Sequence, residues 1–171
     1  MSLWPWTQRT FDFSFPAGKF PDVLERVRGT PARVEDRIRG LPRHVLTAGD
    51  GKGWSIQQNV GHLIDLGYLP LTRMDQILRG EAVLIAADMS NRKTHEAGHH
   101  ARDMEDLLAE FRKERMRLVE RLEALGEDDW GKSALHPRLK RPMRIVDLAY
   151  FDAEHDDYHL ARIGALIRAL T

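Results

Sequence analysis

The chain contains no cysteine. That absence excludes disulfides, thiolate metal ligands and a cysteine nucleophile, and it suits a reducing compartment. Net charge is absent too, because twenty-six basic side chains balance twenty-six acidic ones. A balanced chain carries no electrostatic footprint for nucleic acid, and no polybasic run marks it for an anionic membrane surface. No apolar run approaches the ~20 residues needed to cross a bilayer. Residues Met1 to Trp6 have neither the charged region nor the apolar run of a secretory signal. The expectation is a cytoplasmic protein with no membrane or nucleic-acid partner. Its 171 residues fit one domain that can bury a core without covalent staples. Histidine is what the chain has in quantity: there are eight.

Residues 1–20 read as an arm and residues 21–171 as a single domain. Within the arm, Phe11, Phe13 and Phe15 alternate with polar residues in a strand-like pattern that Pro16 and Gly18 end. This predicts an extended segment laid on the domain surface. A first helix is expected over about Pro31 to Arg39, with Thr30 as N-cap, and a shorter helical stretch at Asp22 to Val27 precedes it. Ser55 and Gln58 form a capping box that opens a second helix. That helix runs to about Arg79, kinks at Pro70 and stops at Gly80. Residues 81–100 are too long for a tight helix–helix turn and suggest a crossover.

The third helix, near Ala101 to Leu125, carries a stripe of Met104, Leu107, Leu108, Phe111, Leu118, Leu122 and Leu125, with Gly126 as its stop. Arg115 interrupts the stripe. It reads either as an edge residue lifting its charge to solvent or as a pocket cation for an acidic substrate or a neighbouring carboxylate. The fourth helix follows Pro142 to the end of the chain. Its seam runs Ile145, Leu148, Asp152, His155, His159, Ile163, Leu166 and Leu170 in steps of three and four, so all share one face. Aliphatic residues hold both ends. Three polar residues in succession at the centre of such a seam demand a partner.

His155 and His159 stack one turn apart and can share one cation. The leading third ligand is His62 on the second helix, although it lies off the stripe of Val60, Ile64, Gly67, Leu71 and Leu78. Three protein ligands leave positions open for water or substrate.

The segment from Gly53 to Leu63, GWSIQQNVGHL, and the later one from Ala153 to Ala161, AEHDDYHLA, resemble the DinB/YfiT-like superfamily of metal-binding four-helix bundles. The likeness covers about residues 30 to 170. It implies an all-α, up-down-down-up bundle, homodimers, and zinc or nickel on His62, His155 and His159. Characterised members include thiol-dependent S-transferases and a mycothiol-dependent isomerase, and many others are described only as metal-dependent hydrolases. The implied function is a metal-dependent transferase or hydrolase acting on a small molecule. The alternative is a non-catalytic metal- or ligand-binding stress-response module.

With no cysteine in the chain, thiol chemistry would need an external low-molecular-weight thiol. Asp152, one turn before His155, is the candidate proton acceptor or orienting carboxylate, with Glu154 and Asp65 as alternatives. Arg115 is the candidate pocket cation, and Trp54 and Tyr158 the candidate walls.

A competing motif is present. His95-Glu96-Ala97-Gly98-His99 matches the H-E-x-x-H zinc protease signature literally. Its flanks are polar where that helix needs an apolar face, and Gly98 costs about 1 kcal/mol relative to Ala. A polar loop is the expected reading. The purified protein should then carry about one divalent ion per chain. Elemental analysis should find it gone from His155→Ala and His159→Ala but kept in His95→Ala and His99→Ala. Full occupancy in the first pair removes the site, and loss in the second restores the loop motif.

Overall fold

The computed structural model describes residues 3–51 and 53–171. Met1 and Ser2 of the expected arm, and Lys52, lie outside the described residues. The helices in chain order are α1 (Phe20–Ile38), α2 (Arg43–Thr47), α3 (Ile56–Asp65), α4 (Tyr68–Leu78), α5 (Arg92–Glu96), α6 (Met104–Glu123), α7 (Glu127–Trp130) and α8 (Ile145–Leu170). Strands β1 (Ser133–His136) and β2 (Arg141–Arg144) form a hairpin between α7 and α8. Four long rods make the bundle: α1, the α3–α4 pair, α6 and α8. Both α1 and α3 pack on α6 and on α8, so those two pairs alternate round the bundle. The up-down-down-up order expected of the chain holds.

Helix α1 is one continuous helix, where the sequence predicts a break before Pro31. Phe20, Val23, Val27, Val34 and Ile38 are all buried along one side. Burying such side chains contributes roughly 1.5–3 kcal/mol each. Together they outweigh the ~3 kcal/mol an interior proline costs. Thr30 is therefore no N-cap. It is buried, and its hydroxyl donates back to the Arg26 carbonyl at 3.1 Å, as threonine does inside a helix.

The second rod is broken rather than kinked. Helix α3 ends at Asp65 and α4 begins at Tyr68, which puts Pro70 in the first turn of α4. Pro70 has no N–H for the Leu66 carbonyl, and the Leu69 N–H takes that acceptor instead at 2.9 Å.

The strand-like alternation of the arm is real, but no strand forms there. Phe11 and Phe13 are buried in the core while Asp12 and Ser14 face out. The arm's carbonyls are taken by arginine side chains: Arg141 Nη1 donates to Phe11 O at 2.9 Å, and Arg144 Nη2 donates to Phe13 O and Phe15 O at 2.9 and 3.0 Å. The short sheet lies instead at residues 133–144, a stretch with no strand periodicity in its sequence. Pro142 sits there in β2, opposite Leu135, so α8 starts at Ile145 and not directly after the proline. The crossover also docks on this hairpin, through Leu84 N to Leu135 O at 3.0 Å and Leu135 N to Ala82 O at 2.9 Å. No described helix is long and apolar enough to cross a membrane.

Burial of Phe13 gives a direct test of the arm's part in stability. Phe13→Ala should cost about 3 kcal/mol, and the half-buried Phe15→Ala clearly less, read as shifts in urea midpoint. Equal, small effects would mean that the arm is not part of the core.

Candidate metal centre

The capping box fixes where α3 begins: Gln58 N–H donates to Ser55 Oγ at 3.2 Å, and Ser55 N–H donates to Gln58 Oε1 at 3.1 Å. One turn later Asn59 uses its amide N–H to donate to the Ser55 and Trp54 carbonyls, at 2.8 and 3.2 Å. Those two bonds orient the amide, so its Oδ1 must be the atom that meets His159 Nδ1 at 2.8 Å. His159 therefore carries its proton on Nδ1, and its Nε2 is a bare lone pair.

His155, one turn earlier on α8, presents its own Nε2 to that atom at 3.2 Å. On α3, His62 places Nδ1 3.0 Å from Thr94 Oγ1 of α5. The three imidazoles offer nitrogens that all lie within 4.8 Å of one another. Ligand atoms on a tetrahedral ion at about 2.1 Å stand about 3.4 Å apart, so the donor set fits a divalent cation.

The electrostatics agree with the geometry. Burial pushes His62 down to about 4. Burial, and then the neighbouring imidazoles, hold His155 and His159 well below the usual histidine value. All three are neutral near pH 7, the form a metal requires. His62, off the main stripe of its helix, is nevertheless buried. The Trp54 ring lies 4.5 Å from it, and Thr94 of the crossover covers its other nitrogen.

The arrangement opens onto two cavities. One, of about 260 Å³, is lined by the three histidines with Trp54, Tyr158 and Trp6. The second, about 240 Å³, shares Trp6 and His155 with the first and continues past Asp152. Trp54 and Tyr158 thus stand where the sequence put them. Trp6, whose ring sits 5.0 Å from that of His155, was not foreseen.

Arg115 is buried on α6 and paired with Asp152 and with Asp156, the latter at 2.7 Å. It does not reach the surface, and it does not line either cavity beside the triad. Of the two readings of Arg115, the geometry favours a cation that holds carboxylates. Burial pushes the Asp156 carboxyl up to about 7, with Arg115 pulling against it. Of the alternative carboxylates, Glu154 pairs with Arg26 at 2.8 Å, and Asp65 accepts from His99 Nε2 at 2.8 Å.

The H-E-x-x-H segment does not form a metal site. Helix α5 ends at Glu96, and Gly98 turns the chain with φ of 62°, so His95 and His99 share no helix face. His95 is exposed. His99 is buried against α3, so close that a Cβ on Gly61 would lie 2.4 Å from its ring. Glycine at 61 is what admits the ring. Asn59 and Thr94 were missed as supports. Asn59 stands three residues before His62, which is a readable signal, whereas nothing local flags Thr94.

A family model matches residues 26–163, and it is that of the DinB superfamily. The chain belongs to the DinB superfamily. No curated protein matches it in sequence. Among solved structures, YfiT from Bacillus subtilis, described as a probable metal-dependent hydrolase with an unusual four-helix bundle topology, is similar at a TM-score of 0.81. It has 20% identity, over 95% of this chain and 93% of that one. The mycothiol-dependent maleylpyruvate isomerase is similar at 0.69 and 14% identity, over 91% and 64% of the two chains. The colibactin self-resistance protein ClbS, solved with double-stranded DNA, is similar at 0.68 and 17% identity, over 89% and 97%. That a protein of this fold was solved with DNA does not fit well with the expectation, drawn from this chain's own net charge, of no nucleic-acid partner.

For this DinB-superfamily chain, the Asn59–His159 bond yields the next test. Asn59→Ala should weaken zinc binding about 10–100-fold in a chelator competition, whereas Asn59→Asp, which keeps an acceptor, should retain most of it. Equal affinity in wild type and Asn59→Ala would show that the bond does not set the tautomer.

Proposed function

We propose that this protein is a metal-dependent enzyme that acts on a small molecule, either by hydrolysis or by transfer of an external thiol. One observation carries the proposal. Three neutral histidines converge, no fourth histidine or carboxylate joins their cluster among the described residues, and His155 forms the wall of a cavity. His62, His155 and His159 would hold the ion, zinc or nickel. A divalent cation held by three neutral imidazoles supplies Lewis acidity and lowers the pKa of a water or thiol presented to it.

The remaining work falls to the chain's own side chains. Asp152 lies in the cavity wall one turn from His155, placed to accept a proton or orient the nucleophile. Arg115 positions Asp152 by pairing with its carboxylate. Trp6, Trp54 and Tyr158 exclude water from the reacting end of the substrate. A cavity of about 240 Å³ takes a small molecule and not a duplex, so the proposal leaves nucleic acid out despite ClbS. It includes the homodimer and the cytoplasmic setting that the sequence and the family resemblance imply.

The likeness to YfiT and to a mycothiol-dependent isomerase supports both chemistries. The metal-loaded protein should therefore be run against ester and amide hydrolysis panels, and against thiol transfer with bacillithiol, mycothiol and glutathione, with His155→Ala as control. Turnover should vanish on metal removal and return with zinc or nickel. Asp152→Asn should keep the metal and lose roughly 10²–10⁴ in rate. No turnover above the control, together with a fourth protein ligand in the metal-loaded structure, would replace the enzyme with a binding module.

A further inference from the structure

The second cavity contains more than the triad needs. His136, on β1, is buried at 2% exposure, and its Nδ1 accepts the Leu139 N–H at 3.1 Å. Its proton therefore sits on Nε2, and that N–H has no hydrogen-bond partner among the described residues. Arg138 lies between the rings of Trp6 and Phe151, 5.6 and 5.5 Å away, and its Nη2 is buried and equally unpartnered. Arg73, on α4, is 3% exposed and spends Nε and Nη2 on a single carbonyl, that of Ile85. Among the described residues, no carboxylate lies within ion-pair distance of Arg73 or Arg138. All three side chains line the same cavity.

They are close enough to feel one another. Burial and then Arg138 hold Arg73 down to about 10, with the more distant Asp152 charge pulling against them, while burial, Arg73 and Arg138 hold His136 down to about 4. A buried cation without a counter-ion and a buried donor without an acceptor are both costly, and here they occur together. The lone carboxylate of the wall, Asp152, is already held by Arg115. Donors and positive charge of this kind suit an anion.

We infer that this cavity is the substrate subsite of the metal centre and that it takes a small carboxylate with an apolar body. The carboxylate sits on His136 Nε2, Arg138 and Arg73, and the other end of the molecule reaches His155. The inference deepens the functional reading above, and its catalytic meaning rests on that reading. Guanidinium forks match a planar pair of oxygens, and the nearby charge of Asp152 favours a single negative charge over the two of a phosphate ester. Leu148, Phe151 and Met89 supply the apolar wall.

The test is calorimetric titration with 3-phenylpropionate and with its neutral amide, on the protein as purified and on the metal-stripped protein. The carboxylate should bind at least tenfold more tightly than the amide in both forms, because none of the three donors is a metal ligand. Arg138→Met and His136→Phe should each remove that preference, costing the acid far more affinity than the amide. Arg138→Met should not lower the melting temperature of the free protein, because its guanidinium makes no hydrogen bond or ion pair there among the described residues, and a structural role would lower it; His136→Phe also removes the acceptor of the Leu139 N–H, so its melting temperature is no part of the test. Equal binding of acid and amide, no binding of the acid, or full preference in Arg138→Met would each overturn the subsite. The metal reading fails separately: a protein that carries no ion yet prefers the carboxylate keeps the subsite and loses the metal centre, and one that carries the ion with no preference does the reverse.

Discussion

A single hydrogen bond, from His159 Nδ1–H to Asn59 Oδ1, ties the two halves of the site together. Its acceptor is fixed by the first turn of α3, where Asn59 donates to carbonyls that the capping box has already placed. The bond settles which nitrogen of His159 is bare, and that nitrogen sets where His155 can put its own. The chain of cause therefore runs from Ser55, a helix-start residue, to the chemistry of a ring on the last helix. Without it, two buried imidazoles 3.2 Å apart would be free to take either tautomer.

The polar centre of the α8 seam has a second answer in Arg115. A guanidinium inside a bundle is costly to desolvate, and so are Asp152 and Asp156 beside it. Together they satisfy one another, and they occupy the level of the core next to the histidines. The bundle is thus apolar at its two ends and polar across its middle. Two separate clusters of buried hydrophobic side chains, one around Val146 and Leu118 and the other around Ile163 and Phe111, lie on either side of that layer.

Much of this was legible in the sequence, because the strongest signals are periodic. The stripe on α6 and the seam on α8 are long and regular, so helix type and the shared face of His155 and His159 follow from spacing, while the bundle order and the metal set came with the family resemblance. His62 was reachable because a capping box anchors the numbering of α3. What escaped depends on contacts between distant segments. Nothing near Pro31 says that Val27 and Val34 will be buried on one face and hold the helix through it. The phenylalanines of the arm show alternation, but a periodicity cannot tell a strand partner from the guanidinium groups of Arg141 and Arg144. The hairpin is too short, at four residues a strand, to rise above a loop. Arg73, His136 and Arg138 come from α4 and the hairpin, so no local pattern brings them together.

The arm is held by its main chain as well as by its buried rings. Arg141 and Arg144 read carbonyls at Phe11, Phe13 and Phe15, and Trp6 reaches the wall of the site from a fixed number of residues upstream. Spacing, not composition, is therefore what delivers the tryptophan. Most substitutions between Trp6 and Phe11 leave that ring where it is. A single inserted or deleted residue there shifts it by about 3.5 Å along the chain, far enough to open the roof of the cavity. Over evolutionary time such an arm can drift at its outward-facing positions, such as Asp12 and Ser14, but neither at its buried rings nor in length.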